Sequence, residues 1–165
     1  MCLAESAKKG GRRLNQNHLR DLPDNLFMLM PDLYRLDLSE NYLTVIKRQT
    51  LDGPRKLKNL QLDHNFISCI DGDSLKFQTE MELLTLNHNN LTTLDKDLFI
   101  RMRKLRTLRL SSNPLVCDCR LGWLANWLQR HQQLGLNARC HSPPGVRGTA
   151  LVSLAQRSLV CTGMD

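Results

Sequence analysis

A 24-residue repeat is the feature that most constrains what this sequence can fold into. Four segments follow the pattern L-x-x-L-x-L-x-x-N-x-L, with Met or Ile allowed for Leu, and they begin at Leu33, Leu57, Met81 and Leu105. A partial copy precedes them, with Leu14 and Leu19 in register. One asparagine therefore recurs at the same step, at Asn17, Asn41, Asn65, Asn89 and Asn113. Such a period indicates a solenoid of stacked repeats.

The spacing of the apolar residues predicts the structure of one repeat. In the L-x-L part the leucines point to the same side of a short strand, and strands of successive repeats pair in parallel to line a concave face. The asparagine amide bonds backbone groups that the next turn would otherwise bury without partners. The irregular convex side supplies further core pairs, Leu22/Phe27, Ile46/Leu51, Ile70/Leu75 and Leu94/Phe99. The expected fold is a leucine-rich-repeat solenoid.

Four of the six cysteines lie near the C-terminus, at Cys117, Cys119, Cys140 and Cys161. Structural zinc sites usually contain Cys-x-x-Cys pairs, so two disulfides are the better interpretation and no metal is expected. Cys117 and Cys119 are too close in sequence to pair comfortably with each other, which leaves two connectivities open. Disulfides indicate an extracellular location, although the first 13 residues hold no apolar stretch of signal-peptide length.

A cap is expected to close the C-terminal end of the solenoid. Leu121, Leu124, Trp127 and Leu128 recur at helical spacing, with Trp123 beside them, and predict one amphipathic helix over the last repeat. Both tryptophans are expected to fill the core rather than to bind a ligand. The expected boundaries are a disordered segment at 1–12, five repeats at 13–113 and the disulfide-stapled cap at 114–163.

Three smaller features carry separate expectations. Cys69 is expected to be a buried free thiol, and Cys2 has no evident partner. His64 and His88 occupy the same position in adjacent repeats, so they are expected one strand apart, as exposed turn histidines or as a metal-binding or pH-sensing pair. The sequence Asn90-Leu91-Thr92 is a glycosylation sequon.

The net charge of +7 and the pI near 9.3 raise the question of a polyanionic partner. Basic residues cluster at Lys8–Arg13, around Lys47–Lys58 and at Arg101–Arg109. Such clusters either attract polyanions or are simply solvated faces of loops. No aromatic residues interleave with them and no nucleic-acid motif is present, so nucleic acid is not expected. An acidic glycan such as heparan sulfate is the expected polyanion, at Arg101, Arg103, Lys104 and Arg106.

The remaining sequence favours a binding protein over an enzyme. It contains no glycine-rich phosphate loop, no H-E-x-x-H and no G-x-S-x-G, so neither catalysis nor a cofactor is expected. No apolar run reaches the length of about 18 residues that a membrane span needs. The residues that flank the inward leucines, all polar except Leu83, suit a protein partner on the concave face. They are Arg35, Asp37, Ser39, Asn59, Gln61, Asp63, Leu83, Thr85, Asn87, Thr107, Arg109 and Ser111.

A family resemblance covers nearly the whole chain, from Arg13 to Gly163. The segments LYRLDLSEN, LKNLQLDHNFISCIDGDSL, LLTLNHNNLT and KLRTLRLSSNPLVCDCRLGWLANWL, with the tail LVCTG, resemble the first leucine-rich-repeat domain of the Slit family. These proteins are secreted guidance ligands of Roundabout receptors. The resemblance implies disulfides Cys117–Cys140 and Cys119–Cys161, and a role in axon guidance and cell migration through Roundabout-receptor signalling and heparan-sulfate contact.

The N-terminal part departs from the family pattern. A Slit domain opens with a cysteine-rich cap and earlier repeats, and MCLAESAKKGG replaces both here. The chain is therefore expected to be the second part of one domain, frayed from Met1 to about Met30 because Leu14, Leu19 and Leu22 are only partly covered. In the family, the main Roundabout-binding surface belongs to the second repeat domain. The alternative function is an ectodomain fragment of a leucine-rich-repeat receptor or adhesion protein.

Overall fold

The computed structural model describes residues 10–96, 98–154 and 159–161. Seven short strands and one α-helix lie in these ranges: β1 (Gly11–Arg13), β2 (Arg35–Asp37), β3 (Val45–Ile46), β4 (Asn59–Gln61), β5 (Cys69–Ile70), β6 (Leu83–Thr85), β7 (Thr107–Arg109) and α1 (Gly122–Arg130). Three 3₁₀ helices in the C-terminal part span Cys119–Leu121, Pro144–Val146 and Leu151–Ser153. No helix in the described ranges has the length and apolar character needed to cross a membrane.

Five strands form one parallel sheet in the order β1-β2-β4-β6-β7. The register keeps the step of the repeat, because Leu36 pairs with Leu60, Leu60 with Leu84, and Leu84 with Leu108. All four leucines are buried, since the alternation of a strand turns every second side chain to one face. The predicted solenoid with short parallel strands is confirmed.

The repeated asparagines form a buried hydrogen-bond ladder. Nδ2 of Asn65 donates to the carbonyl oxygen of Leu62 in its own repeat and to that of Leu38 in the preceding one. Its Oδ1 accepts from the backbone N–H of Leu43 at 3.0 Å. The residue before each asparagine has φ between 54° and 55°, in the left-handed region that reverses the chain at the turn. The same geometry recurs at Asn41, Asn89 and Asn113.

The convex half of each repeat completes the core. All four apolar pairs expected there are buried, Leu22/Phe27, Ile46/Leu51, Ile70/Leu75 and Leu94/Phe99. Neighbouring turns approach closely at Gly53, where a Cβ atom would overlap the backbone carbonyl of Phe27. Only glycine lets the two backbones pack at this distance.

A second, two-stranded sheet was not expected from the sequence. Strands β3 and β5 pair in parallel, with Val45 opposite Cys69 and Ile46 opposite Ile70. Ile70 is buried, so the strand alternation turns the neighbouring Cys69 toward solvent. Cys69 is an exposed free thiol, and the expectation of a buried one is wrong. Cys2 lies outside the described residues.

The strand β1 corrects the expected N-terminal boundary. Gly11 and Arg12 pair with β2, so the disorder expected for residues 1–12 does not hold for these two. Leu14 and Leu19 are partly buried, as expected at an incompletely covered end. Leu22, expected to be only partly covered, is 3% exposed because it belongs to the continuous core of the solenoid.

The cap covers the last repeat with α1 and two disulfides, which join Cys117 to Cys140 and Cys119 to Cys161. This is the pairing that the family resemblance implies, and the Cα atoms are 5.5 and 4.8 Å apart. On the inner side of α1, Leu124, Ala125 and Leu128 are buried.

The two tryptophans of α1 are partly buried against the core of the last repeat. Both indoles contact the ring of Phe99, with centroids 6.0 Å away for Trp123 and 5.5 Å away for Trp127. The indole Nε1 of Trp123 donates to the backbone carbonyl of Leu94 at 3.2 Å. This packing agrees with the core-filling role expected for both residues.

Candidate protein-binding site

The concave face presents side chains in rows that run across the strands. The outward position at the start of each strand forms one row, which contains Arg35, Asn59, Leu83 and Thr107. The last position of each strand forms the next, which contains Arg13, Asp37, Gln61, Thr85 and Arg109. Two residues further along each repeat are Ser39, Asp63, Asn87 and Ser111. The structure thus places the expected concave residues beside one another.

Hydrogen bonds among these side chains reduce the surface that they offer. Ser39 Oγ donates to Asp37 Oδ1 at 2.6 Å, and Thr85 Oγ1 donates to Asp63 Oδ1 at 2.6 Å. Asp37, Ser39 and Thr85 are only 7, 6 and 5% exposed, because side chains on adjacent parallel strands crowd one another. These three side chains therefore offer little of the surface that their expected role as contact residues requires. The partly or fully exposed members are Arg35, Asn59, Gln61, Asp63, Leu83, Asn87, Thr107, Arg109 and Ser111.

A hollow of about 340 Å³ lies at the C-terminal end of this face. Its walls combine residues of the last repeat, Arg106 and Arg109, with residues of the cap, Leu136 and Asn137. The backbone N–H of Gly135 donates to the carbonyl of Leu108 at 3.2 Å, which fixes the cap loop beside β7. Leu136 is 59% exposed. Sequence reasoning did not predict the cap residues of this hollow, because they lie outside the repeat pattern. The loop that follows α1 brings them next to the last repeat only in the folded chain.

The four basic residues expected to bind a polyanion do not line one common hollow. Arg106 lines the concave hollow just described, whereas Arg101 lines a groove of about 850 Å³ formed with the β3–β5 sheet. Lys104 pairs with Glu80 at 2.7 Å, and this bond holds the pKa of the Glu80 carboxyl below its usual value. Arg103 is exposed. The expected cluster is therefore divided by the fold.

The groove that Arg101 lines contains further charges of both signs. Lys47, Arg48, Lys76 and Lys96 line it together with Asp71, Asp73 and Asp95. Arg48 pairs with Asp73 at 2.8 Å, and Lys47 pairs with Asp21 at 2.8 Å, which lowers the pKa of Asp21 and raises that of Lys47. Part of the positive charge at the groove is thus neutralised within the chain.

The two histidines expected to be neighbours are stacked. The ring centroids of His64 and His88 are 4.3 Å apart, and His64 Nδ1 lies 3.0 Å from an Asp63 carboxyl oxygen. Both residues are exposed at the turn that follows the strand. Across the described ranges no group of three or more His, Cys, Asp or Glu side chains is arranged to hold a metal ion.

Comparison with known families agrees with this geometry. A family model described as leucine rich repeat matches residues 13–67 and 55–115, which is more than half of the chain. The chain therefore belongs to the leucine-rich-repeat family.

Two curated relatives match a part of the chain. Human carboxypeptidase N subunit 2 is 39% identical over 59 residues, which are 34% of this chain and 11% of that protein. Vasorin of Xenopus tropicalis is 36% identical over 62 residues, which are 36% of this chain and 9% of that protein. The matched segment is thus about a tenth of the length of each relative.

Two solved structures have a similar fold. One is a chain of the octameric complex of latrophilin 3 (Lec, Olf), Unc5D (Ig, Ig2, TSP1) and FLRT2 (LRR), with a TM-score of 0.75, 26% identity, and coverage of 85% of this chain and 43% of that chain. The other is human 5T4 (Wnt-activated inhibitory factor 1, trophoblast glycoprotein), with a TM-score of 0.68, 27% identity, and coverage of 79% of this chain and 49% of that chain.

Proposed function

We propose that this chain is an extracellular module that binds a protein partner through its concave face. The observation that carries the proposal is the hollow at the end of that face, where the exposed Arg109 and Arg106 stand beside the exposed Leu136. Arginine is one of the residue types enriched among those that dominate binding energy, and a recess next to an exposed apolar side chain can exclude water from such a contact. The two disulfides support an oxidising, extracellular location.

The first candidate within this class is a fragment of a Slit-type guidance ligand, which acts in axon guidance and cell migration through a Roundabout-type receptor. The joined run through ISCI and CDCRLGWL supports it, because this combination is more specific than the cap motif alone. The proposed organisation is five repeats at 13–113 followed by the cap at 114–163.

The second candidate is an ectodomain fragment of a leucine-rich-repeat receptor or adhesion protein. It is favoured by the similarity in fold to a chain of the complex that contains FLRT2 (LRR), latrophilin 3 and Unc5D. A latrophilin-type or Unc5-type ectodomain is the partner that this candidate implies.

Binding of immobilised chain to purified ectodomains distinguishes the candidates. Selective binding of a Roundabout-type ectodomain supports the first, and selective binding of a latrophilin-type or Unc5-type ectodomain supports the second. In either case Arg109→Glu is expected to weaken binding at least about tenfold, or about 1.4 kcal/mol, by reversing a charge in the hollow. Lys96→Glu makes the same charge change in the other groove and is the matched control. Equal loss in both variants would contradict the concave surface.

A heparan-sulfate contact is proposed for the groove that contains Lys76, Lys96 and Arg101. Counterion release makes such a contact sensitive to salt. The chain is expected to elute from a heparin column well above physiological ionic strength, and Lys96→Glu with Arg101→Glu is expected to lower the eluting salt more than Arg106→Glu. Elution of the unaltered chain at or below about 0.15 M salt would refute the contact.

A further inference from the structure

Three exposed aromatic rings form a ladder next to the asparagine turns. His18, Tyr42 and Phe66 each follow the repeated asparagine in successive repeats. The rings of Tyr42 and Phe66 are stacked with centroids 5.8 Å apart and planes 4° from parallel, and the ring of His18 stacks on Tyr42 at 5.6 Å. Tyr42 is 43% exposed and Phe66 is 49% exposed. The ladder therefore leaves aromatic surface exposed to solvent, in a chain with only eight Phe, Trp and Tyr residues (Phe 4, Trp 2, Tyr 2).

Asn90 occupies the next position of this row. The backbone N–H groups of Tyr42, Phe66 and Asn90 donate to the carbonyls of Leu19, Leu43 and Ile67 at 2.8, 2.9 and 2.9 Å. The same hydrogen bond in each repeat fixes the same backbone direction. Adjacent rings of this row are 5.6 and 5.8 Å apart, and the same step from Phe66 brings a group carried by Asn90 to stacking distance.

Asn90 also begins the one Asn-x-Ser/Thr sequon of the sequence. The side chains of Asn90 and Thr92 are exposed, and Leu91 between them is buried in the core. A glycan on Asn90 therefore extends into solvent without disturbing the packing of the repeat.

We propose that Asn90 carries an N-linked glycan whose first N-acetylglucosamine packs on the outer face of Phe66 and extends the ladder by one member. A sugar ring presents C–H bonds with partial positive charge on one face, and these complement the negative face of an aromatic ring. The asparagine side chain is shorter than that of phenylalanine, and the sugar is attached to its amide nitrogen. The sugar ring is therefore expected next to the outer half of the Phe66 ring. The inference rests on the proposed extracellular location, because N-glycans are added in the secretory pathway.

Attachment is tested on the whole chain, produced with a fused secretory leader in cultured mammalian cells. Mass spectrometry before and after treatment with a peptide N-glycosidase is expected to show one glycan, and Asn90→Gln and Thr92→Ala are each expected to abolish it. A secreted, folded chain without a glycan at Asn90 overturns the inference. Such a chain that still binds its partner through the concave face leaves the proposed function intact, so the two failures are distinguishable.

Packing is tested after the glycan has been trimmed to its first sugar. The N-acetyl methyl and anomeric proton resonances of that sugar are expected to be shifted upfield by the ring current of Phe66. The Phe66→Leu substitution is expected to return them to the values of a free glycosylated peptide. Tyr34→Leu, which removes an exposed aromatic ring elsewhere, is the matched control and is expected to change nothing. Sugar resonances with free-peptide values in the unaltered chain overturn the packing.

A thermal measurement gives an independent readout. The trimmed chain is expected to melt at a higher temperature than the Asn90→Gln variant, and this difference is expected to vanish in the Phe66→Leu background. An identical difference in melting temperature in both backgrounds overturns the proposed contact, because the stabilisation by the sugar would then not depend on the Phe66 ring.

Discussion

The side-chain amide of Asn65 joins its repeat to the preceding one by donating to the carbonyl oxygen of Leu38 at 3.0 Å. The same side chain accepts from the N–H of Leu43, so one buried amide satisfies backbone groups that no strand pairing reaches. The asparagine of the repeat pattern is thus a connection between repeats and not only a turn residue.

Replacing this asparagine is expected to be costly. Asn65→Ala leaves the buried Leu43 N–H without this partner and removes one of two bonds to the Leu38 carbonyl, which keeps the bond from Asn41, and we expect a loss of about 2 kcal/mol of unfolding free energy in urea titrations. Asn17→Ala is the matched control. The Asn17 side chain is exposed, and its bonds within the described residues go to the carbonyls of Leu14 and Asn15, so we expect less than about 1 kcal/mol. Equal losses in the two variants would contradict the importance of burial.

The close approach at Gly53 provides a second prediction. Gly53→Ala forces the backbones of two turns apart, because its Cβ would overlap the Phe27 carbonyl. We expect a loss of about 2–3 kcal/mol, measured by thermal or urea unfolding. Gly145→Ala is the control, because in the described part of the chain no atom beyond its two sequence neighbours lies within 4 Å of a Cβ at that position. A Gly53→Ala protein as stable as the Gly145→Ala protein would rule out the steric argument.

Removal of the Cys117–Cys140 disulfide is expected to destabilise the cap. The bond closes a loop with a sequence separation of 23, and the loss of that constraint on the unfolded chain corresponds to about 3 kcal/mol. The double substitution of both cysteines by serine tests this in unfolding experiments. Cys69→Ser is the control, since this thiol is free and exposed, and it is expected to leave the melting temperature unchanged. Similar melting temperatures for all three proteins would contradict the prediction.

The Glu80–Lys104 pair predicts a pH dependence with a definite sign. The hydrogen bond from Lys104 lowers the pKa of Glu80 below 4.5. Because the pKa is lowered in the folded chain, the stabilisation is present above pH 4.5 and is lost as the pH falls through the folded-state pKa. In carboxyl NMR titrations, Lys104→Met is expected to raise the pKa of Glu80 toward 4.5, and high salt to act in the same direction. An unchanged pKa in the variant would show that the pair does not persist in solution.

The sequence predicted which residues of the candidate site lie on the concave face. It did not predict how exposed their side chains are. The strand alternation placed Arg35, Gln61 and Arg109 correctly on the concave face. It could not show that Asp37 and Thr85 are nearly buried there, because their burial depends on side chains of neighbouring strands. Exposure is a property of several repeats packed together.

The sequence by itself determined the solenoid, its register and its core. A pattern repeated every 24 residues gives each copy the same local preference, and stacking is the arrangement that buries the leucines of the pattern together. The tertiary structure alone decided the exposure of Cys69 and the hollow between β7 and the cap. Each of these depends on contacts between residues far apart in the chain, whose distances no local spacing fixes.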